Sequence, residues 1–212
     1  MNNKLLSALI LCTPIAFAAA PVDGMYTSVF GGYSYLPSNI NILTPYGFVD
    51  GTSYKSGYNA GGRIGYQGNP IRYEAEYTYI NATLNAFNVN QLQQAQPAGN
   101  AVANLIMANL YYDTQEILPC VTSFLGLGIG YAYLDSDLNG YGVNGINYFK
   151  FTDNAFAYQG TAGLTYNFSE NYAVNLSYRY VATTSKDVFG NVFQAHLVGG
   201  GAVYRFDYGN YK

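Results

Sequence analysis

The only histidine of the chain, His196, is the one candidate for the general base that nucleophilic catalysis requires. A hydrolase built around it would also need a nucleophile and a carboxylate, and Ser185 and Asp187 stand in the segment just before it. No recognisable nucleophile spacing accompanies these residues. A histidine at the end of an exposed segment is far more often a surface residue than a catalytic base. We therefore predict that the chain is not an enzyme and has no catalytic residue.

Two short motifs begin like metal or cofactor sites but do not complete them. The run DSDLNG at 135–140 starts like a calcium loop, yet Ile146 stands where the bidentate glutamate should be. The run GYGVNG at 140–145 matches a dinucleotide fingerprint, but no helical pattern follows it. Cys120 is the only cysteine after residue 12, so the mature chain can form no internal disulfide. We predict neither a metal nor a cofactor.

Charged side chains recur opposite an apolar face, although only 10% of the residues are charged. The residues that share this placement are Arg63, Arg72, Glu74, Glu76, Asp113, Arg179 and Arg205. Buried charges must pair or lose several kcal/mol of solvation each, and these four arginines nearly balance three carboxylates. We predict an interior closed by ion pairs, with inward glycines at 126, 128 and 130 leaving room for arginines. The alternative is that the charges line a narrow or gated pore.

The elements that must position these charges are strands with a side-chain period of two. In the segment 71–81, tyrosine and alanine alternate with Arg72, Glu74, Glu76 and Thr78. Eight segments show such alternation: 25–35, 57–67, 71–81, 101–113, 120–133, 154–168, 172–181 and 196–206. An even number of strands suits a closed antiparallel barrel. The sequence therefore predicts an all-β fold, an eight-stranded antiparallel transmembrane β-barrel of the outer-membrane type.

The connections between these strands alternate in length. Those after strands two, four and six are short turns, whereas 36–56, 82–100, 134–153 and 182–193 are long and rich in Asn, Gly, Gln and Ser. In outer-membrane barrels, short turns face the periplasm and long loops face the outside. We predict four exposed loops and periplasmic termini.

Composition favours a lipid-facing surface over a soluble one. Tyrosine and glycine each occur 24 times, and the formal charge of −3 gives no electrostatic argument for a nucleic-acid partner. Outward aromatic residues cluster at both ends of the strands, as in the aromatic girdles of membrane proteins. They are Tyr66, Tyr73, Tyr112, Tyr166, Phe168, Tyr172, Tyr204 and Phe206 at the turn ends, and Tyr33, Tyr58, Tyr79, Tyr133, Phe156 and Tyr180 at the loop ends. A soluble barrel with a tyrosine-packed core is the alternative, but it would need more surface charge.

The N-terminus has the pattern of a secretory signal peptide. Lys4 precedes an apolar run over 5–16, and Ala16, Phe17 and Ala18 form a small-residue exit. Cleavage after residue 18 or 19 is expected. We predict a signal peptide over 1–18 and a single barrel domain over 24–208.

Three stretches of the chain carry a resemblance to a known family: MANLYYD at 107–113, LGLGIGYAY at 125–133 and YRF at 204–206. The chain resembles the eight-stranded opacity-type outer-membrane barrels, often called porin-family or surface-antigen proteins. The resemblance implies the outer membrane of a Gram-negative bacterium, in contact with its lipid and lipopolysaccharide. It also implies that Phe206 is the assembly signal read by the barrel assembly machinery, although six residues follow it here.

From these features we predict an outer-membrane surface protein whose barrel anchors four exposed loops, acting in envelope integrity or adhesion. A host or environmental surface ligand would bind through the loops. The alternative function is a narrow or gated porin-like channel for small solutes.

Overall fold

The fold is described from a computed structural model, which covers residues 23–37, 42–44, 47–142, 145–184 and 192–206. The predicted signal peptide, Ser185, Asp187 and residues 207–208 lie outside this part of the chain. The strands are β1 (Gly24–Tyr35), β2 (Ile42–Thr44), β3 (Gly47–Tyr54), β4 (Gly57–Gln67), β5 (Ile71–Val89), β6 (Leu92–Gln93), β7 (Ala95–Ala98), β8 (Asn100–Leu118), β9 (Val121–Gly142), β10 (Gly145–Asn167), β11 (Tyr172–Thr183) and β12 (Gln194–Arg205). Within the described ranges, no helix is long and apolar enough to cross a membrane.

Eight of these strands form a closed antiparallel ring. The order is β1, β4, β5, β8, β9, β10, β11, β12, and β12 pairs again with β1 from Tyr26 opposite Arg205 to Tyr35 opposite His196. Closure leaves no unpaired edge at the level of the ring, which a lipid environment requires. The predicted eight-stranded barrel is confirmed.

The outer face of the ring is apolar along its whole height. Val29, Leu127 and Leu176 are each more than 60% exposed, and most of the predicted girdle tyrosines are about half exposed. Tyr79 and Tyr180 are less exposed than these tyrosines, because other aromatic rings lie against them. Since the exposed side chains are apolar and the buried ones include the charges, this surface is suited to lipid.

The predicted strand ends hold at most turns, and they fail mainly at the loop ends of three strands, β5, β9 and β10. β4 has the predicted bounds, and the turns near Gly68, Pro119 and Ser169 are where the sequence places them. By contrast, β5, β9 and β10 continue well beyond their predicted loop ends, so the prediction of loops over 134–153 and much of 82–100 is wrong. β8 differs at its turn end instead, where it runs past Asp113 to Leu118. Asn and Gly in these segments resemble loop residues, but Leu134, Leu138 and Phe149 keep the period of two and are buried.

These continuations form a second structure at the loop end of the ring, which we call the extension. It consists of β2, β3, β6, β7 and the loop-end parts of β5, β9 and β10. β3 pairs with β5 and β7 with β9, while β9 and β10 stay paired as far as Gly142 and Gly145. β9 runs about nine residues past Tyr133, roughly 30 Å of strand. Among the described residues, the ring is therefore tallest where β5, β9 and β10 continue into the extension.

The extension has a small core of its own. Six apolar side chains are buried in it: Val49, Leu84, Phe87, Val89, Leu138 and Phe149. Tyr54 packs against this core, and its hydroxyl lies 3.1 Å from the Ser136 hydroxyl. Loss of solvent around the phenol raises the pKa of Tyr54 to about 12. The extension is thus a packed element formed from three of the four predicted loops, and most of the fourth, 182–193, lies outside the described residues.

Candidate functional site

Glu76 is the centre of the charged cluster inside the ring. Its carboxylate accepts from Arg63 Nε at 2.7 Å and from Arg179 Nη1 at 2.5 Å. These arginines come from β4 and β11, and the Thr78 hydroxyl donates to the same carboxylate at 2.7 Å. Glu76 and both guanidinium groups are almost completely buried. Charge-assisted hydrogen bonds across the lumen therefore tie β5 to strands on both sides of the ring.

A second group of charges lies nearer the turn end. Arg72 Nη1 donates to Glu74 Oε1 at 2.8 Å, and Arg72 Nε lies 3.1 Å from Asp113 Oδ2. The Tyr26 hydroxyl donates to Glu74 Oε1 as well. Arg63 Nε is 3.4 Å from Glu74 Oε2, which connects this group to the cluster around Glu76. The structure thus brings together six of the seven charged residues selected from the sequence.

Aromatic rings complete the coordination of these arginines. The Phe30 ring lies between two guanidinium groups, 4.2 Å from that of Arg63 and 4.3 Å from that of Arg179. The Arg72 guanidinium lies 4.6 Å from the Tyr111 ring and 5.0 Å from the Phe124 ring. Such cation–π contacts strengthen when they are desolvated. The sequence analysis missed Phe30 and Phe124, which the period of two places on the inward faces of β1 and β9.

The inward glycines of β9 do not hold the predicted arginines: Gly126 holds an aromatic ring, whereas Gly128 faces amide side chains. A Cβ at Gly126 would lie 2.1 Å from the Tyr111 ring, and one at Gly128 would meet Asn109 Oδ1 at 2.0 Å. Three further pairs repeat the arrangement: Gly61 with Phe30, Gly65 with Tyr26, and Gly163 with Phe124. The prediction was wrong because a flat ring covers the bare backbone of its neighbouring strand, and the arginines stack on the rings. In these four pairs, the glycine therefore makes room for a ring that crosses from an adjacent strand.

An apolar layer fills the ring on the loop side of the charges. It contains Leu36, Ile80, Ala82, Ala101, Ala103, Leu105, Met107, Ala132, Leu134, Ala157, Val181, Ala195 and Leu197. All of these side chains are buried, and Tyr54 and Phe193 pack against them. The sequence analysis did not identify this layer, although the inward parity of Arg72 and Glu74 continues to Ile80 and Ala82. The lumen is therefore charged only towards its turn end.

Arg205, the seventh charged residue, shares the turn-end mouth of the ring with Arg72 and Asp113 but forms no ion pair with a described residue. It is 3% exposed, and it donates to Gln67 Oε1 at 3.0 Å, to Asn167 Oδ1 at 2.8 Å and to the Glu170 carbonyl at 3.4 Å. All three acceptors are neutral. No carboxylate oxygen of a described residue lies within salt-bridge distance of it.

His196 and the carboxylates of the calcium-like run lie outside the lumen. His196 is on the outer face of β12, where its Nδ1 is 2.7 Å from the Tyr178 hydroxyl and its ring contacts Tyr35 and Tyr180. The calcium-like run lies in β9, where Asp135 accepts from the Thr152 hydroxyl at 2.8 Å. Among the described residues, no group of three or more His, Cys, Asp or Glu could hold a metal ion.

Phe206, the predicted assembly signal, ends the described chain at the turn side of the ring. Its amide donates to the Met25 carbonyl at 2.9 Å, and its ring meets the Tyr204 ring edge-on at 5.2 Å. The side chain is 40% exposed, on the face that meets lipid.

Comparison with known proteins places this architecture in a family. The family described as "Outer membrane protein beta-barrel domain" matches residues 5–206. An outer membrane protein of Gluconacetobacter diazotrophicus is 26% identical over 195 residues, which is 83% of this chain and 50% of that protein. The chain thus spans half the length of this curated relative.

Two solved structures are similar to this chain at low sequence identity, and the first of them shares its fold. Neisserial surface protein A (NspA) is 17% identical, with a TM-score of 0.58 over 86% of this chain and 97% of that one. Ail, the attachment invasion locus protein of Yersinia pestis, is also 17% identical, with a TM-score of 0.44 over 86% of this chain and all of that one. The narrower resemblance to opacity-type proteins stays a prediction. The chain belongs to the outer-membrane protein β-barrel domain family and is a protein of the outer membrane of Gram-negative bacteria.

Proposed function

We propose that this protein is a closed barrel that anchors the extension at the cell surface, where the extension acts in adhesion or envelope integrity. The observation that carries the proposal is the filled interior. Ion pairs and stacked rings occupy its periplasmic part, and an apolar layer occupies its extracellular part. An eight-stranded ring is only wide enough for side chains to fill. The filling supports a structural anchor over a conduit for solutes.

The extension supplies a surface suited to binding. Tyr141, Ile146 and Tyr148 lie side by side on the outer face of the β9–β10 hairpin and are 51%, 66% and 62% exposed. Asn139, opposite Tyr148, adds an exposed amide. Exposed apolar patches beyond the lipid belt mark interaction sites, and tyrosine with asparagine is the composition of adaptable binding surfaces. We assign partner contact to this patch, which we call the hairpin tip.

The other proposed partners follow from the outer face of the ring. Lipid and lipopolysaccharide would surround the aromatic girdles, and Phe206 would serve as the signal for the barrel assembly machinery. A host or environmental surface ligand would meet the hairpin tip. We propose no catalytic role, because the outward His196 has tyrosines as its described neighbours.

The proposal is tested by changing the hairpin tip without changing the ring. In cells that express the full chain, the triple variant Tyr141→Ser, Ile146→Ser, Tyr148→Ser should lose most adhesion to polystyrene and to an epithelial monolayer. The matched control is Tyr73→Ser, Val174→Ser, Leu176→Ser on the membrane-facing surface, which should lower insertion instead. Equal adhesion by the tip variant and the unmodified protein, at equal surface display, would refute partner contact by the tip.

A further inference from the structure

Among the described residues, the charges inside the ring do not sum to zero. Arg63, Arg72 and Arg179 are balanced by Glu74, Glu76 and Asp113, and all six belong to one connected network. Arg205 is the remaining charge, buried at the periplasmic mouth with neutral acceptors only. A buried charge without a counter-charge is strongly unfavourable, by several kcal/mol. This surplus points to an anion from outside the described chain.

The Arg205 guanidinium has donors left for such an anion. A guanidinium carries five N–H groups, and three of them are used on Gln67, Asn167 and Glu170. One N–H on each η nitrogen remains without a partner among the described residues. The backbone of Arg205 is also held in place. Its amide donates to the Asn171 carbonyl at 2.8 Å, and its carbonyl accepts from Asn171 Nδ2 at 3.1 Å. The guanidinium is therefore fixed in place with two open donors.

Asn167 presents a further donor at the same place. Its Oδ1 accepts from Arg205 Nη2 at 2.8 Å, which assigns the other terminal atom of the amide as the nitrogen. That nitrogen, Nδ2, has no hydrogen-bond partner among the described residues, although Asn167 is only 1% exposed. A buried donor left unsatisfied costs about 1–3 kcal/mol. An acceptor placed beside Arg205 would satisfy it.

A cavity of about 290 Å³ adjoins both residues at the periplasmic mouth. Gln67, Thr122 and Thr165 also line it, and exposed residues of the turns, such as Asn69 and Gln115, form its rim. Two carboxylates reach the same cavity. Asp113 is engaged by Arg72 through both of its oxygens, and Glu116 lies on the exposed rim. The interior end of the cavity is consequently rich in donors.

We propose that Arg205 and Asn167 form a binding site for an oxyanion, a carboxylate or phosphate group that enters from the periplasmic side. Two acceptor oxygens would pair with the two open guanidinium N–H groups, and one of them would also reach Asn167 Nδ2. A free anion and the headgroup phosphate of an inner-leaflet lipid offer the same chemistry. The site is independent of the function proposed for the extension.

The test is phosphate binding by the full-length protein refolded in a neutral detergent, measured by calorimetry and by thermal unfolding. Sodium chloride at matched ionic strength controls for screening. Phosphate should bind saturably and raise the Tm of the unmodified protein, and binding to Arg205→Gln should be weaker by about tenfold or more. Lys150→Gln, an exposed charge on the extension, should behave like the unmodified protein.

Asn167→Asp provides a second variant that keeps the contact with Arg205. Its carboxylate would supply the missing charge within the chain, so it should be at least as stable as the unmodified protein without phosphate and should not respond to phosphate. In phosphatidylcholine vesicles, added phosphatidylglycerol should stabilise the protein through Arg205 only if a lipid headgroup is the natural anion. The proposal fails if phosphate acts no better than chloride, or if Asn167→Asp responds to phosphate as the unmodified protein does.

Discussion

Glu76 connects more of the interior than any other charged residue. Its carboxylate accepts hydrogen bonds from Arg63, Arg179, Thr78 and the Asn109 amide. Removal of this carboxylate would therefore leave two guanidinium groups short of a counter-charge. Which residues face the lumen could be predicted from the period of two. Which of these residues contact one another could not be predicted, because contacts across a barrel depend on how far each strand is shifted against its neighbours. The stacking of Phe30 between two arginines has no signature along the chain.

We expect Glu76→Gln to destabilise the protein by about 3–5 kcal/mol, because it leaves buried positive charge without its partner. Urea unfolding in lipid vesicles, followed by tyrosine fluorescence, measures the change. Adding Arg179→Met to Glu76→Gln should restore part of the stability, since it removes one unpaired charge. Glu116→Gln, at an exposed position, should change stability by no more than about 0.5 kcal/mol. A Glu76→Gln protein as stable as the Glu116→Gln control would contradict the importance of the network.

At the scale of elements, the strands owe their fit to rings that cross glycines. The turn ends of most strands could be predicted, because the short turns contain Pro, Gly and Asn. The loop ends of β5, β9 and β10 could not be predicted, because the same polar residues occur in exposed strands as in loops. The packing of rings on glycines was also unpredictable, since the glycine and its ring lie on different strands. Gly126 with Tyr111, from β9 and β8, is the closest of these contacts.

Gly126→Ala should therefore destabilise the barrel by about 1–3 kcal/mol, because the added methyl must displace the buried Tyr111 ring. Gly160→Ala is a matched control, since a Cβ at that outward position meets nothing within 4 Å. The same unfolding experiment compares the two. Equal stability of both variants would show that the ring adapts freely and that the glycine is not needed for its fit.

At the scale of the whole molecule, the protein is a filled ring with an uneven rim. The fold class and the membrane could be predicted from alternation and low charge. The apolar layer and the extension could not, because a strand that leaves the membrane continues the same period of two. The apolar layer and the extension together support an account in which the ring anchors the protein in the membrane and the extension is presented outside the cell. The channel hypothesis requires a continuous polar path, and the apolar layer lies across the lumen.

The most direct test of this account is the conductance of the refolded protein in a planar lipid bilayer, with insertion verified separately by protease protection of the barrel. A closed barrel predicts no steady current at any applied voltage that the bilayer tolerates. Reproducible unitary currents from the unmodified protein would contradict the filled interior and favour a small-solute channel.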